Sequence, residues 1–219
     1  MIEKYFVMGV RLKWTFPGDN STGTKDGSII ASPPLHAGPM VYDGMDGELF
    51  DVFAPNVSTL GFTKGMSIPY SWLVYTIGHT AKKMLAAGDV LTGYMSGCLI
   101  TLWTENGYRY VGHLGTVDSS EAISARVKTA FAAAMPRDTT GFNPAGAWDP
   151  GEIGPKQAKF KKGAETKVLA LVTTGGEFYS ILLFKPWGLQ TEWCVGGIKK
   201  VPPINRDALY LQMRKLPDR

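Results

Sequence analysis

Cys98-Leu-Ile-Thr-Leu-Trp-Thr104, Glu105-Asn106-Gly107 and Tyr108-Arg-Tyr-Val-Gly-His-Leu114 together read as two strands closed by a very short turn. Both flanks are rich in β-branched and large apolar residues, as strands are. Asn-Gly between such runs is the strongest local signal for a two-residue type I′ hairpin. With Asn106 and Gly107 as the loop, Glu105 faces Tyr108, Ile100 faces His113 and Cys98 faces Gly115. Alternation with period two then places Cys98, Ile100, His113 and Gly115 on one face, with His113 diagonal to Cys98 at a Cα separation of ~7–8 Å. The absent side chain at Gly115 is expected to leave room for the imidazole to lean toward the sulfur. A slip of one residue would put the two groups on opposite faces.

Upstream, residues 4–16 read as a strand ending at Pro17-Gly18. Residues 18–60 carry Asp-Gly at 26–27, 43–44 and 46–47, which suits short strands and surface loops. The spacing of Trp72, Leu73, Tyr75, Thr76, Ile77, Ala81, Met84 and Leu85 predicts a helix over 70–87, stopped by Gly88. Downstream, Asp118-Ser-Ser-Glu121 suits a capping box before an alanine-rich helix that ends at Pro136. A loop is expected over 136–163. A second hairpin follows around Gly175-Gly176, then a strand over 193–201 and a terminal helix over 205–215. The fold class expected is α+β: a central β-sandwich of mostly antiparallel strands with flanking helices, in a single catalytic domain over 1–219.

A thiol near pKa ~8.5 is mostly protonated at neutral pH, and an adjacent imidazole can take its proton and make it a nucleophile. Cys98 and His113 are the candidate pair. Gly97 permits unusual backbone conformations and a close approach by substrate, and the main chain around Ser96, Gly97 and Cys98 is the candidate holder of an oxyanion. A third group normally orients the imidazole. Against this stands the common role of a buried strand cysteine as plain core.

Met95-Ser96-Gly97-Cys98 resembles the Leu-Ser-Gly-Cys signature of the toxin glutamine deamidases, the family of cytotoxic necrotizing factor and the Burkholderia lethal factor. His113-Leu114-Gly115-Thr116 is similar to the His-x-Gly-Thr context of the family's histidine. Thr92 stands six positions before Cys98, where the Burkholderia factor has the threonine of its triad. The resemblance implies Cys98 as nucleophile, His113 as base, Thr92 as orienting group, and hydrolysis of a glutamine side-chain amide to glutamate on a target protein. It also implies a sandwich with helices outside. The alternatives are a cysteine peptidase, a transglutaminase-like enzyme, or a non-enzymatic β-rich binding protein with a structural Cys98.

With 219 residues, 44% of them hydrophobic and 19% charged, the chain can bury a substantial core. The net charge of +4 favours an acidic partner surface without demanding nucleic acid. Cys98 and Cys194 are too few for a disulfide framework or a cysteine-rich zinc site, although one bridge between them would end the catalytic reading. No cofactor or metal is expected. Residues 93–97 miss the G-x-S-x-G spacing of serine hydrolases by one position. The start of the chain lacks a secretion-signal pattern, and no run approaches ~18–20 apolar residues. A soluble monomer without membrane or nucleic-acid partner is expected, acting on a protein that carries a reactive glutamine after delivery by a specialised secretion system.

Among the remaining features, His79 with Lys82 and Lys83 reads as a solvated helix face and His36 as a loop residue. Lys156, Lys159, Phe160, Lys161 and Lys162 read as a solvated basic loop. Trp148 and Trp187 are candidate edges of a substrate groove or lids on the core.

Overall fold

A computed structural model describes residues 1–35, 38–45, 61–86, 88–159, 165–185 and 191–214, with main chain alone at 156–159. The architecture is mixed α/β and mostly sheet. The strands are β1 (Val10–Lys13), β2 (Ile29–Ala31), β3 (Met40–Met45), β4 (Ser67–Ile68), β5 (Ser71–Trp72), β6 (Thr80–Met84) and β7 (Val90–Thr92). They continue as β8 (Ile100–Glu105), β9 (Tyr108–Leu114), β10 (Thr140–Phe142), β11 (Glu165–Val172), β12 (Phe178–Lys185) and β13 (Glu192–Val201). The helices are α1 (Glu121–Ala134), α2 (Pro150–Lys159) and α3 (Arg206–Arg214). A large sheet has the order β4-β3-β1-β13-β12-β11-β7-β5, and a smaller one β10-β8-β9-β6-β2. Both are mixed: β2 runs parallel to β6, and β5 parallel to β7.

The β8–β9 hairpin forms in the expected register, from Glu105 opposite Tyr108 to Ile100 opposite His113. Asn106 (φ 53°) and Gly107 (φ 79°) both take left-handed backbone, as a type I′ turn requires. Leu114 N donates to Leu99 O at 3.0 Å, so the pairing extends one step past the strand. Cys98 therefore lies just before β8 rather than in it. Alternation sorts the side chains cleanly. Cys98, Ile100, Leu102 and Val111 join a core cluster that also takes Val168, Ala170, Leu182 and Phe184 from the large sheet. Leu99, Trp103 and Leu114 face the other way, against Val127 and Phe131 of α1 and Leu209 and Met213 of α3. Each such fully buried large apolar side chain contributes about 1.5–3 kcal/mol relative to exposure. The opposite face of the large sheet carries a third cluster, including Trp14, Trp72, Leu169, Leu171 and Trp193.

The helix expected over 70–87 does not form: the described part of that range holds β5, irregular and turning chain through 73–79, and β6. Trp72 and Val74 enter one core cluster and Leu73 the other, so the segment is buried on both faces. A strand buried on both sides loses its polar alternation and reads as a continuous apolar run. Residues 4–16 divide into a 3₁₀ turn, Ile2–Tyr5, and β1. The region 136–163 holds β10, a 3₁₀ turn at Ala145–Ala147, and α2 rather than an unbroken loop. The N-cap of α1 is Ser120, whose side chain accepts from Ile123 N, and not Asp118. The second hairpin, the strand after it and the terminal helix form as β11–β12, β13 and α3. Among the described residues no helix is long and apolar enough to cross a membrane.

Gly115 is glycine for a different reason than room for the imidazole. A Cβ there would run into the carbonyl oxygen of Thr76 and come within 2.9 Å of that of His79. The Gly115 amide donates to His79 O at 2.9 Å, and its carbonyl accepts from Gly78 N at 3.0 Å. Because the obstacle is backbone, Gly115→Ala is expected to destabilise the chain by about 3 kcal/mol or to prevent folding. Urea unfolding measures it, and a change under about 0.5 kcal/mol would contradict this packing.

Candidate functional site

His113 sits on a central strand of the small sheet, opposite Ile100 on one side and Ala81 on the other. Thr92 ends β7 in the large sheet, opposite Ala170. The two side chains meet across the core, with Thr92 Oγ1 2.7 Å from His113 Nδ1. Thr92 Oγ1 also lies 2.8 Å from the carbonyl oxygen of Leu73. A carbonyl only accepts, so the single hydroxyl proton of Thr92 goes to Leu73, and Thr92 must accept from Nδ1–H. That fixes the imidazole as the Nδ1-protonated tautomer and leaves a bare lone pair on Nε2. His113 Nε2 is buried and finds no hydrogen-bond partner among the described residues. Burial lowers the imidazole pKa from its ordinary 6.5 to about 3, so the ring is neutral.

Cys98 lies six residues beyond Thr92, directly behind the exposed pair Ser96-Gly97. Its sulfur is buried and packs in the same inter-sheet cluster as Ile100 and Ala170. The hydroxyl of Thr116 lies 3.3 Å from the sulfur and the Thr116 carbonyl oxygen 3.9 Å, and His113 is not among the sulfur's hydrogen-bond partners. Burial pushes the thiol pKa up, while the Thr116 hydroxyl, the Thr116 main chain and the Gly97 main chain pull it down and the Asp118 charge adds to the rise. The Tyr75 hydroxyl donates to the Thr116 carbonyl at 2.6 Å, and the Tyr75 ring lies 5.2 Å from that of His113. Tyr75 thus stands against both members of the pair. Burial, with the Cys98 charge next, pushes its phenol pKa above the ordinary value.

The surface opens near the site on the side of α1. A cleft of about 600 Å³ is lined by Gly97, Thr116, Asp118, Glu121, Lys128 and Arg214, among others. Two of these are the immediate neighbours of the sulfur. Gly97 is not held in left-handed backbone, and a Cβ there would meet nothing within 4 Å. The fold therefore does not demand glycine at 97, and what remains of the sequence argument is the exposed position of Gly97 beside the buried Cys98.

The structure brings Thr92 and His113 together as the sequence suggested and places Cys98 on their face of the hairpin, with the sulfur turned to Thr116. Thr116 and Tyr75 were missed as partners of the pair. Thr116 was visible only as the last residue of His-Leu-Gly-Thr, and Tyr75 was hidden in the misread helix. Cys98 and Cys194 are not joined in a disulfide. His79 is buried, with Ser28 Oγ 3.1 Å from Nδ1 and Lys25 N donating to Nε2 at 3.4 Å, so it pins the 23–28 segment rather than facing solvent. Trp148 is buried and donates to Ser180 Oγ at 2.8 Å, which makes it core. His36, Trp187 and the side chains of Lys156, Lys159, Phe160, Lys161 and Lys162 lie outside the described residues. Among the described residues no group of three or more His, Cys, Asp or Glu is placed to hold a metal.

Compared with models of known protein families, with curated proteins and with solved structures, the chain matches none.

The buried neutral imidazole has a consequence for stability. The unfolded chain binds a proton at His113 below pH ~6.5, and the native one does so only near 3. Stability from this group is therefore complete above pH ~6.5 and falls by about 1.4 kcal/mol per unit as pH drops toward 3. Urea unfolding between pH 6.5 and 5 should show that slope in the wild-type chain and its loss in His113→Gln. Long-range proton–nitrogen NMR should report the Nδ1-protonated tautomer, and an Nε2-protonated ring would refute the assignment.

Proposed function

We propose that the chain is a cysteine-dependent protein glutamine deamidase. The observation that carries this reading is the Thr92–His113 hydrogen bond, which holds a neutral imidazole with Nε2 free on the face of the hairpin that carries Cys98. Thr92 was named from its spacing to Cys98 in the resemblance to the toxin deamidases, and the contact is between strands of different sheets. The sandwich of that family is supported by the core cluster drawn from both sheets.

In the proposed reaction a glutamine side chain of a target protein enters by the cleft beside Gly97 and Thr116. Catalytic pairs often stand apart without substrate and close when it binds. Cys98 Sγ attacks the amide carbon as its proton passes to His113 Nε2. The main chain at Ser96, Gly97 and Cys98 faces the developing oxyanion. The carbon–nitrogen bond breaks, His113 returns the proton to the leaving nitrogen, and ammonia departs. Water then attacks the thioester, giving one proton to His113, and the sulfur recovers it as glutamate is released. With the thiol pKa raised and the imidazole pKa lowered, the resting pair is uncharged, and charge develops only during attack.

A second reading is a non-enzymatic β-rich protein in which Cys98 is core. It is favoured by the burial of the sulfur and its bond to Thr116. One experiment separates the two. A cell lysate treated with the wild-type chain should contain proteins with glutamine converted to glutamate, each heavier by about one dalton, and Cys98→Ser should lower that rate roughly 10³-fold or more with its fold intact. Identical lysates after wild-type and Cys98→Ser treatment would remove the deamidase reading. Cleaved or crosslinked chains in place of the mass shift would turn it into a peptidase or a transglutaminase-like enzyme. Because His113 stays neutral to about pH 3, the rate should show no acid limb from this ring near pH 6.5.

A further inference from the structure

We infer that Thr116 is a second polar partner of the nucleophile, switching its hydroxyl from acceptor to donor as Cys98 loses its proton, and that Tyr75 holds it in place. This rests on Cys98 being the nucleophile proposed above. The geometry is specific. Thr116 Oγ1 is 3.3 Å from Cys98 Sγ, the closer of the two polar contacts the sulfur makes with this residue. The Thr116 carbonyl accepts the Tyr75 hydroxyl at 2.6 Å, which anchors the residue beside the sulfur. The carbonyl stands farther from the sulfur, at 3.9 Å against 3.3 Å, so Thr116 Oγ1 is the closer partner for the thiol. A hydroxyl rotates freely between accepting and donating. Once His113 has taken the sulfur's proton, the same oxygen can turn its own hydrogen onto the thiolate by rotation of the hydroxyl.

The need for such a donor follows from the surroundings. The sulfur sits in an apolar cluster, where an unpaired anion is costly. His113 is equally desolvated and carries no charge at rest. A hydrogen bond to a charged group in a dry site is about twice as strong as a neutral one. Thr116 also lines the cleft together with Gly97, next to the sulfur's own surroundings. Tyr75 does not touch the sulfur by hydrogen bond. It is a positioning residue, gripping the Thr116 carbonyl while its ring lies against His113.

The test is the rate of Cys98 alkylation by iodoacetamide, read by mass spectrometry of the peptide containing it, in a Cys194→Ser background between pH 7 and 9. Thr116→Val keeps the shape and removes the hydroxyl. Loss of a charged hydrogen bond raises a thiol pKa by about one unit, so this variant should react about tenfold more slowly across that range. Thr116→Ser restores the hydroxyl and should react within about twofold of wild type. Tyr75→Phe should fall between them. Mere loosening of the core would act in the opposite sense, exposing the sulfur and speeding alkylation. If Thr116→Val reacts as fast as wild type or faster, or if Thr116→Ser is as slow as Thr116→Val, the inference is overturned. The readout does not depend on deamidation. A chain that converts no glutamine yet shows the slowing and its rescue by serine keeps Thr116 in this role and loses only the deamidase reading.

Discussion

The 2.7 Å contact between Thr92 and His113 spans the dry interface of two sheets, and most of what is distinctive here follows from the requirement that polar atoms in such a place be paired. Thr92 can satisfy Leu73 and the imidazole together in only one proton arrangement. That arrangement uses Nδ1 and leaves Nε2 bare. The sheets thus fix a tautomer, a ring orientation and an uncharged state in one step. A protonated imidazole would need a second acceptor that the described residues do not offer at Nε2.

The contact depends in turn on register. His113 faces the large sheet only because Asn106 and Gly107 make a two-residue turn, which sets Ile100 opposite it. A slip of one residue would send His113 toward α1 and bring Leu114 into the inter-sheet core. The left-handed backbone at the turn and the alternation of Cys98, Ile100 and Leu102 against Leu99 and Trp103 agree, so local turn chemistry and long-range packing specify the same pairing. Gly115 adds a further lock. Its backbone is pressed on the chain at Thr76 and His79, which holds the end of β9 and carries Thr116 to the sulfur.

These facts explain what could be read from the chain and what could not. The hairpin was legible because its signals are adjacent in sequence, and α1, β11, β12, β13 and α3 because their periodicity and boundaries are local. Residues 70–87 were not, since Trp72, Leu73 and Val74 are buried on both faces and lost the polar alternation that marks a strand. With them went Tyr75, whose hydroxyl meets a residue 41 positions away. Thr92 was named only through a resemblance, because no local pattern says that a threonine ending one sheet will reach a histidine in the other. The sulfur's turn toward Thr116 was invisible for a similar reason. Strand alternation gives the face on which a side chain lies, not the rotamer it chooses.

An unpaired ring nitrogen in a dry core costs about 1–3 kcal/mol, and a fold optimised for stability alone would fill His113 with an apolar residue. Ile100 and Ala81, its neighbours across the ladder, show that the site accepts such side chains. Thr92 would then lose its need for an acceptor role, since Leu73 already takes its proton. The polar pair is therefore not forced by the packing around it. Cys98 presents the complementary case: its sulfur could rest against the same apolar wall, yet it turns to a hydroxyl beside an open cleft. Two buried groups that forgo simpler packing on one face of one hairpin are what the proposed thiol chemistry, with its base and its nucleophile, would require.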